Sequence, residues 1–303
     1  MKMIFSTRSN ARMKNAFNSL SRESKNLLKY LSRGPLTFFS LTFSIMIVFM
    51  ALFAQFITPY DPYKINPYAT FRPPAAEYPF GTDDLGRDVL SQVIYGARTS
   101  MIIGASAALL SILIGTLLGL VAGFFGGRAD LAISMFIDAK LSIPTFFLIL
   151  VIIAIFGGSI INMIIVIGIT IWPPIARVVR AITQSIKAMD FVEAARALGA
   201  STVWIIFRHI LPQTVGIVLS LGILQMGSAI VIEAGLSFLG LGDPTLISWG
   251  KMLSIAQTYI SRAWWMGFFP GLFLFLTILS FNVLGDKLYE YFNPKLRERV
   301  IYI

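Results

Sequence analysis

DFVEAARALGASTVWIIFRHILP, residues Asp190 to Pro212, is a polar island in an otherwise apolar chain. Asp190 is a preferred helix N-cap and Glu193 stands three residues on, the spacing of a capping box, so a helix is expected from Phe191. Phe191, Ala194, Ala195 and Leu198 then fall at i, i+3, i+4 and i+7. They make a narrow apolar stripe whose middle offers only methyl groups, so another surface can approach closely. Gly199 supplies a left-handed stop, Ser201 or Thr202 caps a second helix, and Pro212 is expected to end that helix near Ile210. Two short helices meeting at a glycine bend make either a socket for another protein or a capped connector between apolar helices.

Glu193, Ala194 and Ala195, then Gly199, then Leu211 and Pro212, resemble the EAA loop of ABC importer permeases. The resemblance implies that 190–212 is a cytoplasmic coupling segment docking in a groove of an ATP-binding subunit. Asp190, Glu193, Ala194, Ala195, Leu198 and Gly199 would then be its coupling residues. One position departs from the family pattern: His209 stands where an isoleucine two places before Leu-Pro is usual, a variant associated with the peptide-importer branch.

The surrounding composition belongs to a bilayer. Apolar residues make 56% of the chain, charged residues 13%, and mean hydropathy is +0.76. Soluble proteins carry about 25% charged residues. The net charge of +10 does not indicate nucleic acid, because the basic residues are not interleaved with aromatics on one face. With no cysteine and His209 alone, neither a disulfide framework nor a Cys/His metal cage is expected.

Spacing between charges gives six spans of the ~20 residues that a bilayer needs. Span one occupies 34–58, longer than a signal-peptide apolar region and without a small-x-small cleavage site. Span two lies between Arg98 and Arg128, and spans three and four, separated at Gly157–Ser159, cover about 131–156 and 160–179. Span five runs over about 214–239 and span six over about 264–284. The expected fold is an all-α polytopic membrane protein, with both termini on one side. Of the 25 lysines and arginines, all but six (Lys64, Arg72, Arg87, Arg98, Lys251 and Arg262) fall on the side of the termini, so the positive-inside rule places the termini and 190–212 in the cytoplasm. The basic tail 1–33, with Leu20, Leu27, Leu28 and Leu31 on one side of an amphipathic helix, and the tail 291–303 are cytoplasmic in this scheme.

Three sets of residues inside or beside the spans are candidates. Ala107, Ser111, Gly115, Gly119 and Gly123 form a small-residue stripe on span two, for packing within the chain or for a subunit interface or pore. Glu233 is the one carboxylate well inside span five; it is either functional or held by hydrogen bonds from neighbouring helices. Asp138 and Lys140 are read as interfacial, and Pro144, Pro173 and Pro174 as interruptions of spans three and four that shape a pathway or, the favoured reading, merely kink the helices.

The loop 59–99 faces outward. Asp83, Asp84, Arg87 and Asp88 give it a polar face, and Val89, Leu90, Val93 and Ile94 suggest a short helix lying along the membrane surface. The stretch FGTDDLGRDVLSQVIYGART from Phe80 resembles the GTD-x-LGRD-x-LS…YGAR segment of dipeptide and oligopeptide permeases. So do GLSFLGLG (Gly235 to Gly242), the following SWGKML, and WW…FPGL…FN-x-LGD from Trp264 to Asp286. The resemblance covers a permease core at 80–290 and implies the type I ABC importer permease fold of the second-permease branch. It also implies a heterodimer with a homologous permease, two ATPase subunits that carry ATP and Mg, and an external binding protein faced by Asp83, Asp84, Arg87 and Asp88. Relatives of this kind carry dipeptides, oligopeptides, nickel chelates or oligosaccharides; peptides are the substrate expected here.

Enzyme chemistry is not expected. Gly250 and Lys251 are adjacent, but Thr245 occupies the place of the first P-loop glycine and Met252 follows. There is no H-E-x-x-H and no nucleophile elbow. A secondary transporter, the rival class, would carry repeated halves and several midplane charges, whereas Glu233 stands nearly alone.

Overall fold

A computed structural model describes residues 30–32 and 34–293. Most of the expected N-terminal amphipathic helix and the tail after Asn293 lie outside the described residues. Those that are described form helices joined by short loops, except for the long segment 58–88, which carries one 3-10 turn (Pro67–Ala69) and a single isolated bridge between Thr82 and Asp88.

Helix α1 (Pro35–Ile57) opens on a proline in its first turn, where no backbone donor is lost. Helix α2 (Val89–Phe125) is 37 residues long and is capped by Asp88, whose carboxylate accepts from the Ser91 N–H. The separate surface helix expected over Val89–Ile94 is therefore the first turns of α2. Val89, Val93, Ile94 and Ala97 are all buried, and the indole of Trp249 packs where a side chain at Gly96 would stand, so this segment is drawn into the bundle.

Span three is not one helix. Helix α3 (Gly127–Leu141) and α4 (Thr145–Phe156) meet at 81° across Ser142–Pro144. Proline removes a donor and disfavours helical backbone in the residue before it, and here the result is a break rather than the expected kink. Ion pairs hold α3 in place: Arg177 Nη2 reaches Asp138 at 2.7 Å, and the Arg180 guanidinium grips both oxygens of Asp130. Both arginines lie on α6 (Pro173–Lys187), which follows α5 (Ile160–Gly168) after a gap carrying Trp172. The carbonyl of Ile171 freed in that gap is met by the Gln225 amide at 2.7 Å, the kind of compensation that lets a membrane helix break.

Helix α7 (Asp190–Ala197) and the single turn α8 (Thr202–Ile205) follow. The chain then passes through a π-helical turn, Ile206–Ile210, into α9 (Leu211–Phe238) without stopping. The break expected at Pro212 does not occur. The wider π turn relieves the conflict between the proline ring and the preceding turn, and Pro212 begins the next helix where its missing donor costs nothing. Helix α10 (Trp249–Tyr259) and α11 (Trp265–Phe292) complete the described chain. Five helical stretches are long and apolar enough to cross a membrane, or six if α3 and α4 form one broken span.

At the centre stands α2, packed along α1, α5, α6 and α9. Its small-residue stripe serves packing within the chain. A side chain at Gly119 would meet the Ala176 carbonyl and Val179 Cβ at 2.7 Å, and Gly115 and Gly123 are equally close to α6. Backbone contact of this kind is what small residues give to helices in lipid.

Candidate functional site

Helix α7 hangs off the end of α6 after a two-residue turn. The capping box expected of Asp190 and Glu193 is absent: Met189 is the N-cap, and no side chain caps the helix. Both carboxylates are instead exposed and make no hydrogen bond or ion pair among the described residues, while favouring the positive end of the helix dipole. Gly199 turns left-handed at φ +83°, the Ala200 N–H reaches back to the Ala195 carbonyl at 3.0 Å and the Gly199 N–H to that of Arg196 at 2.9 Å. The left-handed stop expected at Gly199 is thus present, in the form of a Schellman motif. Ser201 caps α8 by accepting from the Trp204 N–H.

The burial of this elbow is one-sided. Val192, Ile205 and Ile210 are fully buried in a cluster with Leu120, Phe124 and Val179. Phe191, Ala194 and Leu198 face outward, with Leu198 89% exposed. Trp204, Val203 and Phe207 extend the uncovered apolar surface, and Ala195, Leu198, Gly199, Ser201 and Trp204 line an open concavity. His209, the residue that departs from the family pattern, packs between Phe191 (5.5 Å, tilted) and Trp204 (5.0 Å, edge to face) and braces the two short helices against each other. Lys187 and Arg196, on either side of the Met189 turn, both lie over the ring of Phe124 at the end of α2.

At the other end of the bundle, the polar loop is turned inward. Asp83 is buried; it accepts from the Leu85 and Arg87 N–H groups, from Arg87 Nε at 2.6 Å and from the Gln92 amide at 2.8 Å. Asp88 is spent on capping α2. Asp83, Arg87 and Asp88 therefore build the loop rather than present a polar face. Asp84 is half-buried, and burial, then the nearby Asp83 carboxylate, push its pKa above the ordinary value. Two indoles pin the region: Trp265 donates to the Thr82 carbonyl and Trp249 to that of Val93, each at 3.0 Å.

Glu233 is wholly buried. The Ser100 hydroxyl of α2 donates to its Oε2 at 3.0 Å and that of Ser237 to its Oε1 at 2.7 Å, with Ser248 at the start of α10 a third partner. It is a node joining three helices, with the hydrogen bonds from neighbouring helices that the structural reading requires. The sequence reading named none of these partners; the i, i+4 spacing of Ser237 is the one local signal, while Ser100 and Ser248 are distant. Among the described residues, no group of three His, Cys, Asp or Glu side chains is placed to hold a metal.

The family described as binding-protein-dependent transport system inner membrane component matches residues 115–298, and the N-terminal transmembrane domain of oligopeptide transport permease C matches residues 24–74. The chain belongs to this permease family. As a permease it is a multi-pass inner-membrane transport subunit rather than an enzyme. It is 40% identical to the di/tripeptide transport system permease protein DppC of Pseudomonas aeruginosa over 264 residues, covering 85% of this chain and 87% of that one. With the oligopeptide permease OppC of Bacillus subtilis the identity is 37% over 281 residues, 92% of each chain. With the glutathione permease GsiD of Escherichia coli it is 39% over 257 residues, 84% of this permease and 85% of the other. A solved inward-facing structure of the MetNI methionine ABC transporter superposes with TM-score 0.53 at 17% identity, covering 67% of this permease and 96% of that chain. At that identity the likeness speaks for the fold, the ABC importer permease architecture.

Proposed function

We propose that this permease forms, with a homologous second permease, the membrane pathway of an importer for peptides, and that α7 and α8 are its coupling element. The observation that carries the reading is the two-sided elbow. Val192 fixes α7 to the bundle, while Phe191, Ala194 and Leu198 and the unpartnered carboxylates of Asp190 and Glu193 face outward. An uncovered apolar patch rimmed by charge fits a protein partner. ATP and Mg would be held by two ATPase subunits, one seated at this elbow and one at the second permease, and substrate would arrive from a binding protein on the opposite face. The positive-inside count favours both termini in the cytoplasm, with the elbow on the same side. Peptide cargo rests on the relatives named for dipeptides, oligopeptides and glutathione.

In operation, closure of the two ATPases would move α7, and α6 and α9, which flank the elbow, would carry the movement across the membrane as rocking of packed helices. The test is co-purification. Wild-type permease is expected to bring down an ATPase subunit from membranes. Leu198→Asp, which puts a charge in the middle of the exposed stripe without touching the core, is expected to lose it while still inserting. Retention of the ATPase by Leu198→Asp would overturn the reading.

A further inference from the structure

Arg98, like Arg128 and Asp286, is a helix charge that no side chain of the bundle holds among the described residues. It is exposed on α2, and no hydrogen bond or ion pair occupies it among the described residues. By contrast Asp130, Asp138, Arg177, Arg180 and Glu233 all have partners. Arg98 stands at the head of a groove of about 530 Å³ between α1 and α2, walled by Val48, Leu52, Met101, Ile102 and Ala105 and floored by Met226 of α9. From Met101 to Phe125 the helix carries no charge. That run is about 37 Å long at 1.5 Å per residue, enough for the ~30 Å hydrocarbon layer, so Arg98 stands at its boundary. One turn earlier Tyr95 meets Tyr63 edge to face at 6.2 Å, amphipathic rings of the kind that gather at headgroup level.

We infer that this groove holds one phospholipid, its phosphate paired with the Arg98 guanidinium and an acyl chain lying between α1 and α2. A guanidinium offers parallel donors that match a phosphate oxygen pair, and a boundary position supplies phosphates at high local concentration. Apart from Arg98 and Ser106 the groove is lined by apolar side chains, as an acyl chain requires. A partner-protein carboxylate would satisfy the arginine equally well but would leave the groove below it unexplained. In the orientation proposed above, the lipid belongs to the outer leaflet.

Native mass spectrometry of the intact transport complex, titrated with phosphatidylglycerol and with phosphatidylethanolamine, tests this. Wild type should retain one phospholipid that Arg98→Gln holds about tenfold more weakly, as for loss of one charge-assisted pair. Ala105→Leu, which fills the groove and keeps the arginine, should lose the same lipid. Equal retention by all three proteins would overturn the inference. So would loss of the second membrane subunit from Arg98→Gln with lipid retention unchanged, which would assign Arg98 to a protein contact.

Discussion

The guanidinium of Arg196 lies 5.3 Å from the centre of the Phe124 ring, and the Lys187 ammonium lies 5.6 Å from the same ring. This joins the elbow α7 to the end of α2, the helix on which the bundle is packed. Phe124→Leu keeps most of the buried volume and removes the ring face, at a cost of about 0.5–2 kcal/mol. It is expected to lower transport per ATP hydrolysed more than it lowers thermal stability. Phe124→Ala adds a cavity, costs about 3 kcal/mol or more, and should reduce the amount of folded permease. Reconstituted transport beside ATPase rate, with a melting curve for each variant, separates the two effects.

Glu233 makes a different prediction. If its work is to join Ser100 and Ser237 by hydrogen bonds, Glu233→Gln can accept from one hydroxyl through its oxygen and donate to the other through its NH2, and transport should stay near wild type. Glu233→Leu leaves buried hydroxyls without their partner and should cost about 1–3 kcal/mol. Thermal unfolding in detergent and peptide uptake by vesicles measure both. Loss of uptake in a fully stable Glu233→Gln would instead mark the carboxylate as part of the transport chemistry.

Gly119 tests the packing of α2 on α6. A methyl group there would press on the Ala176 carbonyl and Val179 Cβ, both at 2.7 Å. Neither is a flexible side-chain end, so Gly119→Ala should destabilise by about 1–3 kcal/mol. Gly271→Ala is the control. Its nearest neighbour would be Leu253 Cδ2 at an ordinary 3.6 Å, and the lower backbone entropy of alanine should leave stability equal or raised by up to about 1 kcal/mol.

How far the sequence revealed this molecule depended on the range of the forces involved. Span one, the Gly199 stop and the small stripe on α2 were legible because each is set by composition or by neighbours within a few residues. The break at Pro144 was seen only as a kink, since the ion pairs that hold α3 at 81° to α4 come from Arg177 and Arg180, more than 30 residues away. Val89 to Ile94 looked like a surface helix because their burial against Trp249 is a long-range contact. The inward turn of Asp83 was hidden for the same reason, and Asp190 passed for an N-cap although Met189 takes that place. His209 carried no signal of its packing between the rings of Phe191 and Trp204.

Two loop carboxylates give opposite pH dependences. Burial, then Asp83, raises the pKa of Asp84, so the folded state holds its proton more tightly than the unfolded chain. Its contribution to stability therefore falls as pH rises from about 3.9 through the raised value. Asp84→Asn should be more stable than wild type above that window and equal to it below. Asp243 is lowered, chiefly by the hydrogen bond from the Thr245 side chain. Its contribution is complete above about 3.9 and is lost as pH falls through the lowered value. Thr245→Val should be less stable than wild type at neutral pH, with the gap narrowing in acid. Melting temperature against pH for the two variants and wild type checks both signs.

The chain has no cysteine, so a single Leu198→Cys places one thiol on the outward stripe of α7. A membrane-impermeant maleimide should leave it unlabelled in intact cells or spheroplasts and label it rapidly in inside-out vesicles stripped of peripheral subunits. Restoring the ATPase should block that labelling. Modification from outside the cell, or labelling that the ATPase does not alter, would contradict the assignment of this elbow as the coupling surface.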